Sequence, residues 1–402
     1  MANVIVIGGG AAGMMAAGTA VRLGHEVTVV EHSRKTLLKL GITGKGRCNL
    51  TNNCDVRTLV ANTPHGGKFL YGALSRTTAQ DIMELFESLG VPLKTERGGR
   101  VFPVSDRSFD IVDALRRYAG GAKIVFADAR SIRTKDGAVR GVETSAGSLA
   151  AEHVILATGG RSYEATGSDG SGYAMARALG HTVVDAEPSL VPFRADPATC
   201  TPLAGLTLKN IGLSLTCGGK TLYAEQGEML FTHTGISGPL VLSASVHLRG
   251  AIKPCEVTLD LKPALDEAAL DARLLREIEA TPNVNFSSLV PKLLPKAMTR
   301  AICDRSGIAP GQKVNVLTRA QRGALIRTLK AFSLGQVEKC GFDEAIVTAG
   351  GVVTTEIDPK TMRSRLVRGL SFAGEIIDAD AYTGGFNLQI AWATGRAAAN
   401  GI

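Results

Sequence analysis

The feature that most limits what this chain can fold into lies in its first 31 residues. Val4-Ile5-Val6-Ile7 is an unbroken apolar run, of the kind a parallel sheet buries on both faces. Gly8-Gly9-Gly10-Ala11-Ala12-Gly13 follows, then a helical pattern to about Leu23 closed by Gly24, and a second strand from Glu26 to Val30 that ends at Glu31. This strand, turn, helix, strand unit predicts a doubly wound α/β sheet, and its Gly-x-Gly-x-x-Gly spacing is that of a dinucleotide turn. Gly8 permits the tight turn, Gly10 lets the backbone approach a pyrophosphate, and Gly13 lets the helix lie close to the sheet. Ala11 and Ala12 open the helix, whose free amides and positive dipole favour phosphate. Glu31 is placed to accept hydrogen bonds from both hydroxyls of an adenosine ribose. A lone glycine turn would be weak evidence; both strands and the acid make it specific.

The chain has 402 residues, 45% of them apolar, enough for more than one core and for two or three domains. Charged residues make up 20%, and the 47 glycines follow no collagen-like period, which excludes a disordered, fibrous or disulfide-stapled chain. The uncharged apolar run Val4 to Val21 is accounted for by the nucleotide turn, so a soluble protein without a membrane span is expected. Seven cysteines, with no Cys-x-x-Cys pair and no zinc spacing, predict reduced thiols in the cytoplasm and no metal site.

Net charge is +8, and the stretch from Lys292 to Lys330 holds nine Lys/Arg against the single acid Asp304. Such a stretch reads as the solvated face of a helical segment, or as a surface for nucleic acid, a phosphate-bearing cofactor or an acidic partner. No aromatic lies between Phe286 and Phe332, which leaves little for stacking bases and argues against nucleic acid.

Further along, Thr77–Leu89 and Ser108–Tyr118 read as amphipathic helices. Lys123–Phe126, Ala129–Arg133, Val139–Thr144 and Ser148–Ala151 read as a β-meander, and Val154–Ala157 as a buried strand running into Thr158-Gly159-Gly160. From Pro188 short strands at Leu213–Thr216, Thr221–Ala224 and Met229–Thr232 suggest a small barrel or sandwich. Helices are expected at Asp266–Ala280, Pro291–Cys303 and Thr318–Leu329, strands at Ala345–Thr348 and Leu370–Ala373, and a final helix from Asn387 to Ala399. The expected arrangement is an α/β, Rossmann-like nucleotide-binding domain built from both chain ends (residues 1–187 and 344–402). A β-barrel (188–260 and 329–343) and a small helical domain (261–328) are inserted in it.

Two later segments argue for FAD over NAD. Gly41-Ile42-Thr43-Gly44-Lys45-Gly46-Arg47-Cys48-Asn49-Leu50-Thr51-Asn52 brings close-approach glycines and positive charge to where an extended dinucleotide crosses the sheet. Near the C-terminus a strand delivers Gly374-Glu375, and Thr383-Gly384-Gly385-Phe386-Asn387 introduces the last helix. Amides at that helix start can face a flavin's pyrimidine edge and stabilise the negative charge of its reduced form. Taken singly, either segment could be a plain surface turn or helix cap.

The run from Thr43 to Asn52 resembles that of a bacterial flavoprotein family that includes aminoacetone oxidase and a flavin reductase of bile-acid dehydroxylation. So do Phe231-Thr232-His233-Thr234-Gly235-Ile236-Ser237-Gly238-Pro239, Thr348-Ala349-Gly350-Gly351-Val352 and the segment Gly374 to Gln389. The likeness covers essentially the whole chain, in order. It implies FAD contacts at Gly8, Gly10, Gly13, Glu31, Arg47, Cys48, Gly374, Glu375, Gly385, Phe386 and Asn387, with Gly44, Gly46 and Gly384 in the same motifs. One departure is Arg363, where the family pattern leads one to expect an acid.

Cys48 and Cys54 raise a disulfide-reductase reading, in which Arg47 would lower the thiol pKa of Cys48. The wide spacing of the pair and the lack of a second strand-linked Gly-x-Gly-x-x-Gly for NADPH argue against it; a buried structural Cys48 is the alternative. His233, in a Gly/Ser-rich turn, is a candidate acid or base. Tyr163 and Arg100 are weaker candidates. The expectation is an FAD-dependent oxidoreductase, first an NAD(P)H-driven reductase of a small organic substrate by hydride transfer at flavin N5. The alternative is an amine-type oxidase passing electrons to oxygen. Substrate and oligomeric state are not written in the motifs.

Overall fold

Val4–Ile7 lies within the central strand of a five-stranded parallel sheet in the computed structural model, which describes residues 1–250 and 254–402. The strand order is Leu370–Phe372, His153–Leu156, Asn3–Ile7, Glu26–Glu31, Lys123–Phe126, every pairing parallel. Chain order therefore reverses beside the first strand, and in such sheets the ligand crevice opens at the carboxyl ends of the strands where the order reverses. The first helix, Ala11–Arg22, begins at that edge. Lys123–Phe126 belongs to this sheet and not to the expected meander, which consists of Ala129–Lys135, Ala138–Thr144 and Gly147–Ala150.

The closing helix, Phe386–Asn400, packs along the first helix because small residues let the backbones meet. A Cβ on Gly395 would lie 2.5 Å from the Ala12 carbonyl oxygen. Its buried polar groups are satisfied: Trp392 Nε1 donates to the Leu50 carbonyl at 2.9 Å, and Gln389 joins Thr51 Oγ1 and the Thr77 carbonyl at 2.7 Å each. These bonds fasten Leu50 and Thr51, the end of the 41–52 segment, to the C-terminal helix. Arg363 donates to the Ile402 oxygen at 3.0 Å, which gives the unexpected base a partner at the chain's last residue.

The chain divides into two units, Met1–Ser189 with Phe342–Ile402, and Leu190–Gly341. Among its described residues the second contains a closed six-stranded antiparallel barrel and six α-helices. The expected short strands are in fact two long ones, Thr207–Cys217 and Lys220–Phe231, joined at Gly218-Gly219. Expected helix Pro291–Cys303 is split into Phe286–Leu293 and Thr299–Ser306; Pro295, in extended backbone between them, has no amide to continue the first. Val347–Val352 pairs antiparallel with Val183–Ser189, outside the parallel sheet. Among the described residues no helix is long and apolar enough to cross a membrane, and no group of His, Cys, Asp and Glu could hold a metal. Fully reduced thiols are contradicted: Cys217 and Cys255, opposite each other on paired strands, form a disulfide.

Candidate active site

The three turn glycines are glycine for three different reasons. Gly8 has φ +102°, and a Cβ there would meet the Ala157 oxygen at 2.5 Å. Gly13 would place a Cβ 1.9 Å from the Gly8 oxygen. Gly10 has ordinary extended backbone, and a Cβ there would meet nothing within 4 Å. Protein packing does not require Gly10 to be glycine; open space for a ligand over the turn does. The first helix has neither a side-chain cap nor an acid in its first turn, so the Ala11–Gly13 amides face that space unneutralised.

Glu31, only 7% exposed, is held from two sides. Its Oε2 accepts from Gly9 N and its Oε1 from Ser33 N, both at 2.7 Å. Each oxygen keeps a second lone pair, enough for two ribose hydroxyls. Thr158, just past the strand His153–Leu156, has a buried Oγ1 without a partner, as does Asn49 with its Oδ1. Buried polar atoms rarely stay unpaired, so both mark places for a bound group's polar atoms. The open space at Gly10, the free amides and these two orphaned oxygens together fit an extended dinucleotide.

Glu375 is embedded in a network. Its Oε2 accepts from Lys39 Nζ at 2.8 Å, and its Oε1 from Ser162 Oγ at 3.0 Å and Thr348 N at 2.7 Å. Thr348 Oγ1 in turn accepts from Arg161 N and Ser162 N. Gly374, at φ +75°, brings its Cα against Ala12, where a Cβ would lie 2.7 Å from the alanine's. So the residue before Glu375 packs directly on the start of the first helix.

Gly384 and Gly385 both have positive φ, and Gly385 caps the closing helix without a side-chain cap. A Cβ on Gly385 would strike Thr51 at 2.4 Å, which brings the helix N-terminus onto the 41–52 segment. Phe386 is buried, and the Asn387 side chain is used internally: it accepts from Ala381 N at 3.0 Å and donates to the Ala381 carbonyl at 2.9 Å. Asn387 thus shapes the loop that presents the glycine pair.

The 41–52 segment is partly helical, Leu38–Gly46, with a break at Thr43–Lys45 where Gly44 and Lys45 turn left-handed. Gly46 likewise has φ +83°. The Arg47 guanidinium is engaged by Glu96 and Asp106 and stacks over Phe102 at 4.2 Å, so its charge is already partnered. Cys48 is fully buried and unbridged, and burial pushes its thiol up to about 12. Burial acts against the reactive-thiolate reading and agrees with the alternative of a buried structural Cys48.

His233 is exposed, in the turn between Lys220–Phe231 and Gly235–Ser237, and its carbonyl accepts from Thr201 Oγ1 at 3.0 Å. Tyr163 is 43% exposed at φ +57°, and Arg100 bonds the Arg97 carbonyl. Sequence reasoning missed Lys39, Asn49, Thr158, Ser162 and Thr348 as site residues. Thr158 carried a signal, a threonine at the carboxyl end of a buried strand; Lys39 carried none, because its partner Glu375 is 336 positions away.

This geometry is that of a dinucleotide site, with its glycine turn at the switch point of a parallel sheet, and with the family and relatives that follow it defines the class, an FAD-dependent oxidoreductase. The chain belongs to the HI0933-like protein Rossmann domain family, whose profile matches residues 2–401. It is 32% identical over 407 residues to a 3-dehydro-bile acid delta(4,6)-reductase of Clostridium scindens, covering 98% of this chain and 97% of that one. It is 30% identical over 404 residues to a ribosomal RNA dihydrouridine synthase of Escherichia coli, covering 100% and 98%. Among solved structures, a 3-ketosteroid delta1-dehydrogenase from Sterolibacterium denitrificans shares the fold at TM-score 0.50 and 14% identity, over 99% of this chain and 98% of that one.

Proposed function

We propose that this chain is an FAD-dependent reductase, fed by NADH or NADPH, that adds hydrogen across a carbon–carbon double bond conjugated to a carbonyl. The observation that carries the cofactor half is Gly10, whose missing side chain leaves open space in front of uncapped helix amides. Support for the reaction half comes from the names of its full-length relatives, a delta(4,6)-reductase and a dihydrouridine synthase. In chemical terms a 3-oxo group conjugates with a 4,6-diene, and uracil's 5,6 double bond with its 4-carbonyl. The two names describe one kind of reduction on different rings.

A bound flavin would supply hydride at N5. The chain's own residues hold and orient: the first-helix amides take the pyrophosphate, Glu31 the ribose, and Glu375, fixed by Lys39, Ser162 and Thr348, the ribityl region. The closing helix directs its uncapped amides at the pyrimidine edge, where they favour negative charge.

The substrate is first a small cyclic enone. A second reading, a uracil of RNA, is favoured by the charge distribution. Of the nine cations between Lys292 and Lys330, five have structural partners: Lys292, Arg305, Lys313, Arg322 and Lys330. Lys296, Arg300, Arg319 and Arg327 are exposed, Arg300 with only a loose helix pair to Asp304. To test this, the holoenzyme is reduced anaerobically with NADPH or NADH, then offered a 3-oxo-4,6-diene steroid or an unmodified ribosomal RNA transcript. A product two hydrogens heavier by mass spectrometry is expected from one of them. Reoxidation by neither, with fast reoxidation by oxygen, would return the assignment to the oxidase class.

A further inference from the structure

We infer that Asn52 is the positioning residue for the flavin's pyrimidine edge, an inference that rests on the FAD reading above. Its side-chain amide fixes the plane of the Gly384–Gly385 peptide and so aims the Gly385 N–H at the ring. Asn52 is 5% exposed and ends the short strand Thr51–Asn52, which pairs antiparallel with Arg100–Pro103. Its Nδ2 donates to the Gly98 carbonyl at 2.9 Å and to the Gly384 carbonyl at 3.0 Å. Carbonyl oxygens only accept, so the amide nitrogen must be the atom that faces them, and both its hydrogens are used. One buried side chain thus joins the turn Arg97–Gly99 to the glycine pair.

Covalent geometry then sets the direction of the Gly385 N–H. In a trans peptide the carbonyl and the N–H of one plane point opposite ways. The Gly384 oxygen points to Asn52, so the Gly385 hydrogen points away from it, and it meets no acceptor among the described residues. Both glycines are part-exposed, so that hydrogen faces open space. Turning the plane over changes ψ of Gly384 and φ of Gly385, and neither residue has a Cβ to resist the change. Asn387 clamps the loop earlier, at Ala381 and Tyr382, and leaves the 384–385 peptide to Asn52.

The closing helix sets how far this amide lies from the nucleotide turn. Gly395 packs against the Ala12 carbonyl, and Thr394 Oγ1 accepts from Gly374 N at 2.9 Å, so this part of the helix lies level with the start of the first helix. Phe386, where the closing helix begins, is nine residues earlier. At ~1.5 Å per residue that is about 14 Å along the axis. An extended flavin dinucleotide needs such a separation between its pyrophosphate and its ring. The Gly385 N–H therefore stands at the ring end of the site, beside the uncapped amides of Phe386 and Asn387.

A donor at that place serves the N1–C2=O edge, where negative charge collects when a flavin takes up two electrons. It favours reduced flavin over oxidised, which raises the midpoint potential and eases electron uptake from NAD(P)H. A plane turned over would present the Gly384 oxygen instead and repel the same charge. Asn52 acts through the peptide it holds, without touching the cofactor.

The test needs no substrate. Dissociation constants of oxidised and of reduced FAD are measured anaerobically for the wild type, Asn52→Ala and Asn52→Leu, with urea midpoints as the folding check. Leu keeps the side chain's volume without a donor, so if one variant unfolds the other carries the test. Relative to oxidised FAD, each folded variant should hold reduced FAD about tenfold less tightly than the wild type does, which is a midpoint potential about 30 mV lower. Equal weakening of both forms, or of neither, would make Asn52 a fastener of the 97–99 turn and overturn the inference alone. A wild type that binds no FAD would overturn the FAD reading and this inference with it.

Discussion

Gly10 and Gly13 sit three positions apart in one turn, yet substituting them should do opposite things. At Gly10 a side chain meets no protein atom, so Gly10→Val should leave the stability of the apoprotein within about 0.5 kcal/mol and abolish FAD binding. At Gly13 even a methyl collides with the Gly8 carbonyl, so Gly13→Ala should cost about 1–3 kcal/mol or more before any ligand is added. Urea unfolding and flavin content, measured on both variants, separate the two effects. Glu31→Ala removes two backbone hydrogen bonds as well as the ribose contacts. It should weaken FAD about tenfold to a hundredfold, or about 1–3 kcal/mol, by fluorescence titration. Unchanged affinity would mean that Glu31 serves the turn alone. The turn geometry of the glycines and the placement of Glu31 beside it were legible because they lie within one local unit. Arg47 was not: whether its charge points to a ligand depends on Glu96 and Asp106, which are remote in sequence.

Elements follow the same division between local and remote causes. Thr78 and Thr318 each precede a helix and form capping boxes, with Asp81 and Gln321, so those two starts could be read from sequence. Membership of a sheet could not. Lys123–Phe126 has the alternation of a meander strand, and only its parallel pairing with Glu26–Glu31 places it in the main sheet. His153 gives the parallel sheet a pH dependence. Burial first, then the positive charges of Arg363 and His25, hold its imidazole down to about 4 from an ordinary 6.5, while its Nε2 meets Ser371 Oγ at 2.9 Å. The unfolded chain takes up that proton first as pH falls. The contribution of the neutral ring is therefore present above about 6.5 and lost as pH falls through about 4. Wild type should lose about 2–3 kcal/mol of stability across that window from this group, and His153→Asn should flatten the loss in urea midpoints measured against pH.

On the scale of the whole molecule, the nucleotide-binding unit draws both ends of the chain into one sheet, Asn3–Ile7 at its centre and Leu370–Phe372 at its edge. That return was anticipated from the glycine motifs at each end, which make sense only if they meet on one ligand. The charge surplus was legible as a number but not as a surface, since five of its nine cations turn out to be bonded within the unit. Replacing Lys296, Arg300, Arg319 and Arg327 by alanine should leave FAD content unchanged. If RNA is the substrate, the change should also reduce the salt slope of RNA binding by up to about 3. An unchanged slope would leave the enone as the substrate class. The most direct test of the central claim is anaerobic: the purified protein is loaded with FAD and its flavin absorbance followed while NADH or NADPH is added. The reductase account predicts an FAD spectrum that bleaches with one of the two nucleotides. A protein that retains no flavin after reconstitution, or an FAD spectrum untouched by both nucleotides, would contradict it.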